Sequence, residues 1–263
     1  MIDLHERLSE FSFGYGITKE VEALLATVGV HATPFFPNLK HENELGFDVG
    51  FKAKGTVIAL QFKLGSELKR FRASSTMKIM PPLDRPFWRF HLDTSGDQFK
   101  MLREYEGQGA QVYYVAPRFT SWREYDSAFY AGTVLDKSLI VTPKDIDAKL
   151  FFIDPTAASG VHRVVYDRSE SYVCSEPLQL DEVKKADLVS KISYYADTTR
   201  ELGSQLEAMF GARLSVRLSH RRREDDILKS ASSRDVGIMN ILALDALAHG
   251  AQLLFASRDH LKV

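Results

Sequence analysis

Apolar residues recur at helical spacing near the start of the chain. Ile17, Val21, Leu24, Leu25 and Val28 share one stripe, which predicts a helix from Thr18 to Val28. Thr18 suits its N-terminus, and Gly29 suits the left-handed residue that ends it. Val30 to Phe36 reads as a strand stopped by Pro37, with Pro34 arguing for an edge position. Two more short strands follow, Gly46 to Gly50 and Thr56 to Lys63, joined by the turn Lys52 to Gly55. In the second, Val57, Ala59, Gln61 and Lys63 fall on one side, and Ile58, Leu60, Phe62 and Leu64 fall on the other. Beyond Gly65 and Ser66 the pattern is irregular, with a short strand near Trp88 to Leu92. Ser95 to Glu106 is a helix with Phe99, Leu102 and Tyr105 on its stripe, and Gln111 to Ala116 is a buried strand. The order is helix, three strands, helix, strand, an α/β layer with a mixed sheet.

Further along, Ser121 to Ala131 reads as a helix. Ser138 to Val141, Leu150 to Ile153, Arg163 to Tyr166 and Ser171 to Cys174 read as strands extending or flanking the same sheet. From Asp181 the character changes. Leu188, Ile192, Tyr195, Thr199, Leu202, Leu206 and Met209 alternate four and three apart, as in a helical seam. A long helix laid on its own subunit explains the seam as well as a coiled coil does. The helix from Asp235 to Leu247 is apolar on most sides, so it is buried. The expected division is an α/β domain over residues 1–180 and a helical C-terminal region over 181–263. Those helices would serve packing, a homodimer or a partner protein.

Composition narrows the classes. The 263 residues suffice for a large packed core. A single cysteine, Cys174, excludes an internal disulfide and a cysteine-built zinc site, and fits a reducing compartment such as the cytoplasm. The N-terminal residues lack a charged-then-apolar leader pattern. The most apolar stretch, Val236 to Leu254, is interrupted by Asn240, Asp245, His249 and Gln252, which argues against a membrane span. The histidines form no paired metal-binding spacing, and no Walker-type phosphate loop is present. Net charge is -1, so the whole chain is no polyanion magnet. The local charge differs: Lys52, Lys54, Lys63, Lys69, Arg70, Arg72, Lys78, Arg85 and Arg89 face only Glu67 and Asp84 across that segment.

The chemistry converges on the hairpin. Asp48 on one strand would sit beside Gln61 and Lys63 on the next, bringing an acid, an amide oxygen and an ammonium to one end of a sheet. Such a group can hold a divalent cation and a water molecule against a phosphate. Glu20 and Glu22 lie on the preceding helix, two residues apart, so only one of them can serve. With this element order, Asp48 and Gln61-Phe62-Lys63 resemble the PD-(D/E)xK nuclease superfamily in its QxK variant. The resemblance covers roughly residues 15–118 and implies a restriction-endonuclease-like core. It implies that Asp48 is the main ligand of Mg²⁺ or Mn²⁺, joined by the Gln61 side-chain oxygen, the Phe62 carbonyl and an acid of the first helix, with Glu20 preferred. Lys63 would orient the attacking water or offset phosphate charge. The departure is Gln61 in place of an acid, which removes one negative charge from the metal site.

The resemblance also implies a DNA substrate and a role in prokaryotic antiviral defence or DNA processing. Lys69, Arg70, Arg72, Arg85 and Arg89 are the candidates for contacting the nucleic acid. Gln98 on the following helix is within reach of a phosphate, and Phe87, Trp88 and Phe90 offer rings either to unpaired bases or to the core. The competing reading is a catalytically weak or inactive nuclease-like subunit that binds nucleic acid or a partner protein.

Overall fold

The computed structural model describes residues 8–34, 54–70, 81–153, 160–174, 177–198, 201–216, 238–243 and 251–257. The elements are α1 (Glu10–Thr27), β1 (His31–Pro34), β2 (Gly55–Phe62), β3 (Ser66–Leu68), β4 (Phe87–Asp93), α2 (Asp97–Gly107), β5 (Gln111–Pro117), α3 (Trp122–Ala131), β6 (Ser138–Val141), α4 (Pro143–Ile153), β7 (Val161–Tyr166), β8 (Ser171–Cys174), β9 (Pro177–Gln179), α5 (Lys185–Thr198), α6 (Leu202–Val216) and β10 (Ala251–Ser257). Residues 238–243 are also helical. The protein is α/β, with strand orders β1-β10-β2-β5-β6 and β3-β4-β7-β8-β9 in its two sheets. Two compact units divide the chain. One comprises Met1–Val21, Phe62–Phe99 and Tyr113–Asp187; the other comprises Glu22–Gln61, Lys100–Val112 and Leu188–Val263.

Helix α1 starts at Glu10, well before Thr18, which is buried inside it. Ser9 caps the start, its Oγ accepting from the Ser12 N–H at 3.0 Å. Phe13, Ile17, Val21 and Leu25 form one buried row at four-residue spacing. Gly14 and Gly16 resemble helix breakers, yet both sit under aromatic rings. A Cβ on Gly14 would lie 2.7 Å from the Phe62 ring, and one on Gly16 would lie 2.9 Å from the Tyr125 hydroxyl oxygen. Smallness there lets rings from β2 and α3 lie against the helix. Gly29, at φ 73°, ends the segment as expected.

In the second unit, β10 pairs antiparallel with β1 and with β2. Its register on β2 runs from Ala251 opposite Gln61 to Ser257 opposite Gly55. Strand β1 is at the end of its sheet, the edge place its proline requires. All eight residues of β2 are buried. Its Val57, Ala59 and Gln61 side is therefore not an open polar face, which corrects the expected division of the strand. Strand β10 lies beside β2, and the expected hairpin partner, residues 46–50, lies outside the described residues. A strand covered on both faces needs an apolar neighbour, and Leu253, Leu254 and Phe255 supply one. Residues 181–263 thus contribute a central strand as well as helices. The expected seam is carried by two helices, α5 and α6, rather than one. Leu188, Ile192, Leu202, Leu206 and Met209 are buried on them.

In the first unit, β5 pairs antiparallel with β6. Strands β3, β4, β7, β8 and β9 form a separate antiparallel sheet instead of extending the other one. Residues 150–153, expected as a strand, close helix α4. Pro143 opens that helix, and Thr142 Oγ accepts from the Asp145 N–H at 3.1 Å as a cap. Ile146 and Leu150 then fall one turn apart on its buried side. Helix α3 begins with a capping box between Ser121 and Glu124 and ends on Gly132 at φ 65°. Arg118 ties the unit together, donating to the carbonyls of Asp167 and Ser138 at 2.6 Å and to Glu182 at 2.7 Å.

Candidate functional site

Lys63 follows the last residue of β2, and its backbone N–H donates to the Val115 carbonyl at 3.0 Å. This bond anchors the strand end next to β5. The preceding ring, Phe62, packs edge-on against Phe13 at 5.9 Å and fills the space left by Gly14. That contact sets the start of α1 beside the end of β2. Glu10 is one helical turn before Gly14, and Lys63 is one residue after Phe62.

The Lys63 side chain is half-buried, and its Nζ donates to the Gln98 Oε1 at 2.9 Å. Gln98 is in the first turn of α2. Burial holds the Lys63 ammonium below the ordinary lysine range, and the Glu10 carboxylate nearby opposes that fall. The Lys63 ammonium and the Gln98 amide oxygen thus meet where β2 and α2 have their ends, with the Glu10 carboxylate of α1 near enough to act on Lys63 electrostatically. Lysine with a lowered pKa gives up a proton more readily than a surface lysine does.

Glu20 is elsewhere. Its two carboxylate oxygens accept from the N–H groups of Val134 and Leu135 at 2.8 and 2.9 Å. It lies ten residues beyond Glu10 on the same helix, about 15 Å along the axis. The acid that α1 brings near Lys63 is Glu10, which precedes the helix start expected at Thr18. Burial raises the Glu22 carboxyl above the ordinary range. Gln61 is buried opposite Ala251 in the second unit. Asp48 lies outside the described residues, as does Arg72.

A divalent cation would require more than these groups. Among the described residues no group of three or more His, Cys, Asp or Glu is placed to hold a metal ion. Glu10 is one carboxylate, Gln98 is engaged by Lys63, and both oxygens of Glu20 are taken by backbone. These residues do not fit a complete Mg²⁺ or Mn²⁺ site.

The basic candidates fall into two groups. Lys69, Arg70 and Arg85 are exposed. Arg89 is half-buried on β4, pairing with Val165 of β7 and Ser66 of β3. The rings of Phe87, Trp88 and Phe90 are not offered to bases, each being at most 3 % exposed. Trp88 and Phe90 pack on Tyr166, with both pairs of ring centroids 6.0 Å apart. Burial pushes the Tyr166 hydroxyl well above its ordinary range, and that hydroxyl donates to the Pro117 carbonyl at 2.9 Å.

No family model, no curated protein and no solved structure matches the chain. Among the described residues, no helix is long and apolar enough to cross a membrane.

Proposed function

We propose that this protein hydrolyses phosphodiester bonds of DNA at a site centred on Lys63, as a divergent nuclease of the PD-(D/E)xK type. The observation that carries the reading is the half-buried Lys63 ammonium at the end of a fully buried strand, held by Gln98 and within the electrostatic influence of Glu10. Desolvating a cation is unfavourable unless it is paired or used. A phosphate oxygen would complete its contacts and draw the ammonium toward its charged form. Gln98 fixes the direction of the Lys63 amine. Lys63 then offsets charge on the phosphate or holds the attacking water. Glu10 is the nearby carboxylate available to accept a proton from that water.

The requirement for Mg²⁺ or Mn²⁺ rests on the resemblance and on Asp48. The defence role rests on the resemblance alone. The second reading, a nuclease-like subunit that binds without cutting, is favoured by one observation: the expected helix ligand, Glu20, is engaged by backbone N–H groups.

The test uses supercoiled, linear and single-stranded DNA with Mg²⁺ or Mn²⁺, with and without chelator. Wild type should cleave in the metal-containing reactions only. Lys63→Ala and Asp48→Ala should abolish cleavage, and Glu10→Gln should slow it. Undiminished cleavage by Lys63→Ala would remove the site from the reaction. Binding without cleavage by wild type would establish the second reading.

A further inference from the structure

Helices α1 and α3 leave aromatic rings on the surface of the first unit. Phe11 and Tyr15 fall one turn apart on α1 and are 80 % and 58 % exposed. Trp122 and Tyr130 on α3 are 40 % and 83 % exposed. The two helices are joined beneath these rings. The Tyr125 hydroxyl donates to the Ser12 carbonyl at 2.5 Å, and the Tyr125 ring lies over Gly16. Tyr15 stacks on the half-buried Phe129 with centroids 6.0 Å apart. Phe129 meets Tyr130 edge-on at 6.0 Å, and Trp122 packs on Tyr125 at 5.2 Å. The rings therefore form one contiguous surface instead of scattered apolar side chains.

The size of this surface fits an interface. An aromatic side chain carries about 150–250 Å², so at these exposures the four outer rings offer about 400–650 Å². Ordinary monomers expose apolar patches of about 300–600 Å² at most. A stable dimer buries about 800 Å² per partner, which this patch and a polar rim together reach. Charge selects the occupant. Lys19 follows Tyr15 by one turn, and its Nζ lies 4.0 Å from the centre of the Phe129 ring. Asp126 is exposed one turn from both Trp122 and Tyr130. Neither Lys19 nor Asp126 forms an ion pair among the described residues. One cation and one anion on the same apolar surface are complementary to a rotated copy of that surface. A two-fold axis would bring Lys19 of one copy to Asp126 of the other, and make the pair twice. A polyanion is disfavoured. Lys19 and Arg123 are exposed, but so are Asp126 and Glu124 beside them, which leaves no local excess of cations.

We infer that α1 and α3 form a two-fold interface with a second copy of this chain, built on Phe11, Tyr15, Trp122 and Tyr130 and registered by Lys19 against Asp126. This face differs from the C-terminal helices, where a homodimer contact was expected. Phe11 and Tyr15 precede the helix start expected at Thr18, and only the Tyr15–Phe129 contact joins them to the rings of α3.

The test is sedimentation velocity on the full chain from about 1 to about 100 μM. Wild type should pass from monomer to dimer across that range. Tyr130→Ser, at a ring that is mostly in water, should fold normally and raise the dissociation constant at least about tenfold. Lys19→Glu and Asp126→Lys should each weaken self-association about tenfold. Mixed together, those two variants should associate again, because each supplies the sign that the other lacks. Lys191→Glu, at an exposed position on α5, should dimerise like wild type. Trp88 is buried, so Trp122 is the tryptophan whose acrylamide quenching should fall as the dimer forms. A wild type that stays monomeric throughout, unchanged dimerisation in Tyr130→Ser, or equal weakening in Lys191→Glu would overturn the interface. So would a mixture of the two charge variants that fails to associate. Dimerisation intact in Tyr130→Ser with weaker binding to a labelled single-stranded oligonucleotide would overturn it too, and would assign the rings to unpaired bases.

Discussion

Replacing Glu20 by alanine separates its two assigned roles. The carboxylate accepts from the N–H groups of Val134 and Leu135, whose side chains are buried at 0 % and 2 % exposure. These N–H groups open the tight turn that follows α3, in which the Lys137 N–H bonds to the Thr133 carbonyl and the Ser138 N–H to the Leu135 carbonyl. Like the first amides of a helix, they have no partner within the turn. A hydrogen bond to a charged group contributes about 1.5–3 kcal/mol. The Glu20 side chain is half-exposed, so water recovers part of the loss. The expected destabilisation for the pair of bonds is about 2–3 kcal/mol. Melting entropy of about 2.1 cal/mol/K per residue over 263 residues gives about 0.55 kcal/mol/K. The melting temperature should therefore fall by about 4–5 °C. Glu20→Gln keeps one acceptor and should lose about half as much. Calorimetry and the DNA-cleavage assay would be run on the same preparations. The capping role requires lowered melting with cleavage retained below the transition. Unchanged melting with cleavage abolished would refute it and return Glu20 to the metal.

Other outcomes follow from the same geometry. Leu254→Ala, at a fully buried position between β1 and β2, should cost about 3 kcal/mol by urea denaturation; a loss below 1 kcal/mol would contradict the central place of β10. Gly14→Ala should destabilise by about 1–2 kcal/mol despite alanine's higher helix propensity, since its Cβ meets the Phe62 ring; Phe62→Leu in the same chain should restore most of that. Burial acts to raise the Asp167 carboxyl, but hydrogen bonds from the N–H groups of Ser169, Asp84 and Glu170 outweigh it and hold the pKa below the ordinary range. Its contribution to stability is present above the unfolded carboxylate pKa and is lost as pH falls through the lower folded value. Asp167→Asn should be less stable than wild type at pH 7, and the gap should close on acidification. A constant gap down to pH 2 would show that charge is not the cause.

Much of the architecture was legible because local chemistry agreed with it. The Phe99, Leu102 and Tyr105 stripe of α2, the capping residues of α3 and the apolar run of β5 each specify their element without help from distant residues. Errors came where a residue has two meanings. Pro143 stops a strand or starts a helix, and the Thr142 cap with the Ile146–Leu150 spacing made it a start. Gly14 and Gly16 precede the helix start expected at Thr18, and the Phe62 and Tyr125 rings packed over them account for small residues inside α1.

Local sequence was enough for the α/β class, the existence of the strand that is β2 and the place of Lys63 at its end, because alternation, capping and helical spacing act over a few residues. Tertiary structure alone decided which strand flanks β2, which helix acid lies near Lys63, and which rings share a surface with Tyr15. Those choices depend on pairings across long stretches of chain: residues 251–257 with 55–61, Phe13 with Phe62, and Tyr15 with Phe129. Such contacts are selected by the fit of whole surfaces, and no short window of sequence contains both partners.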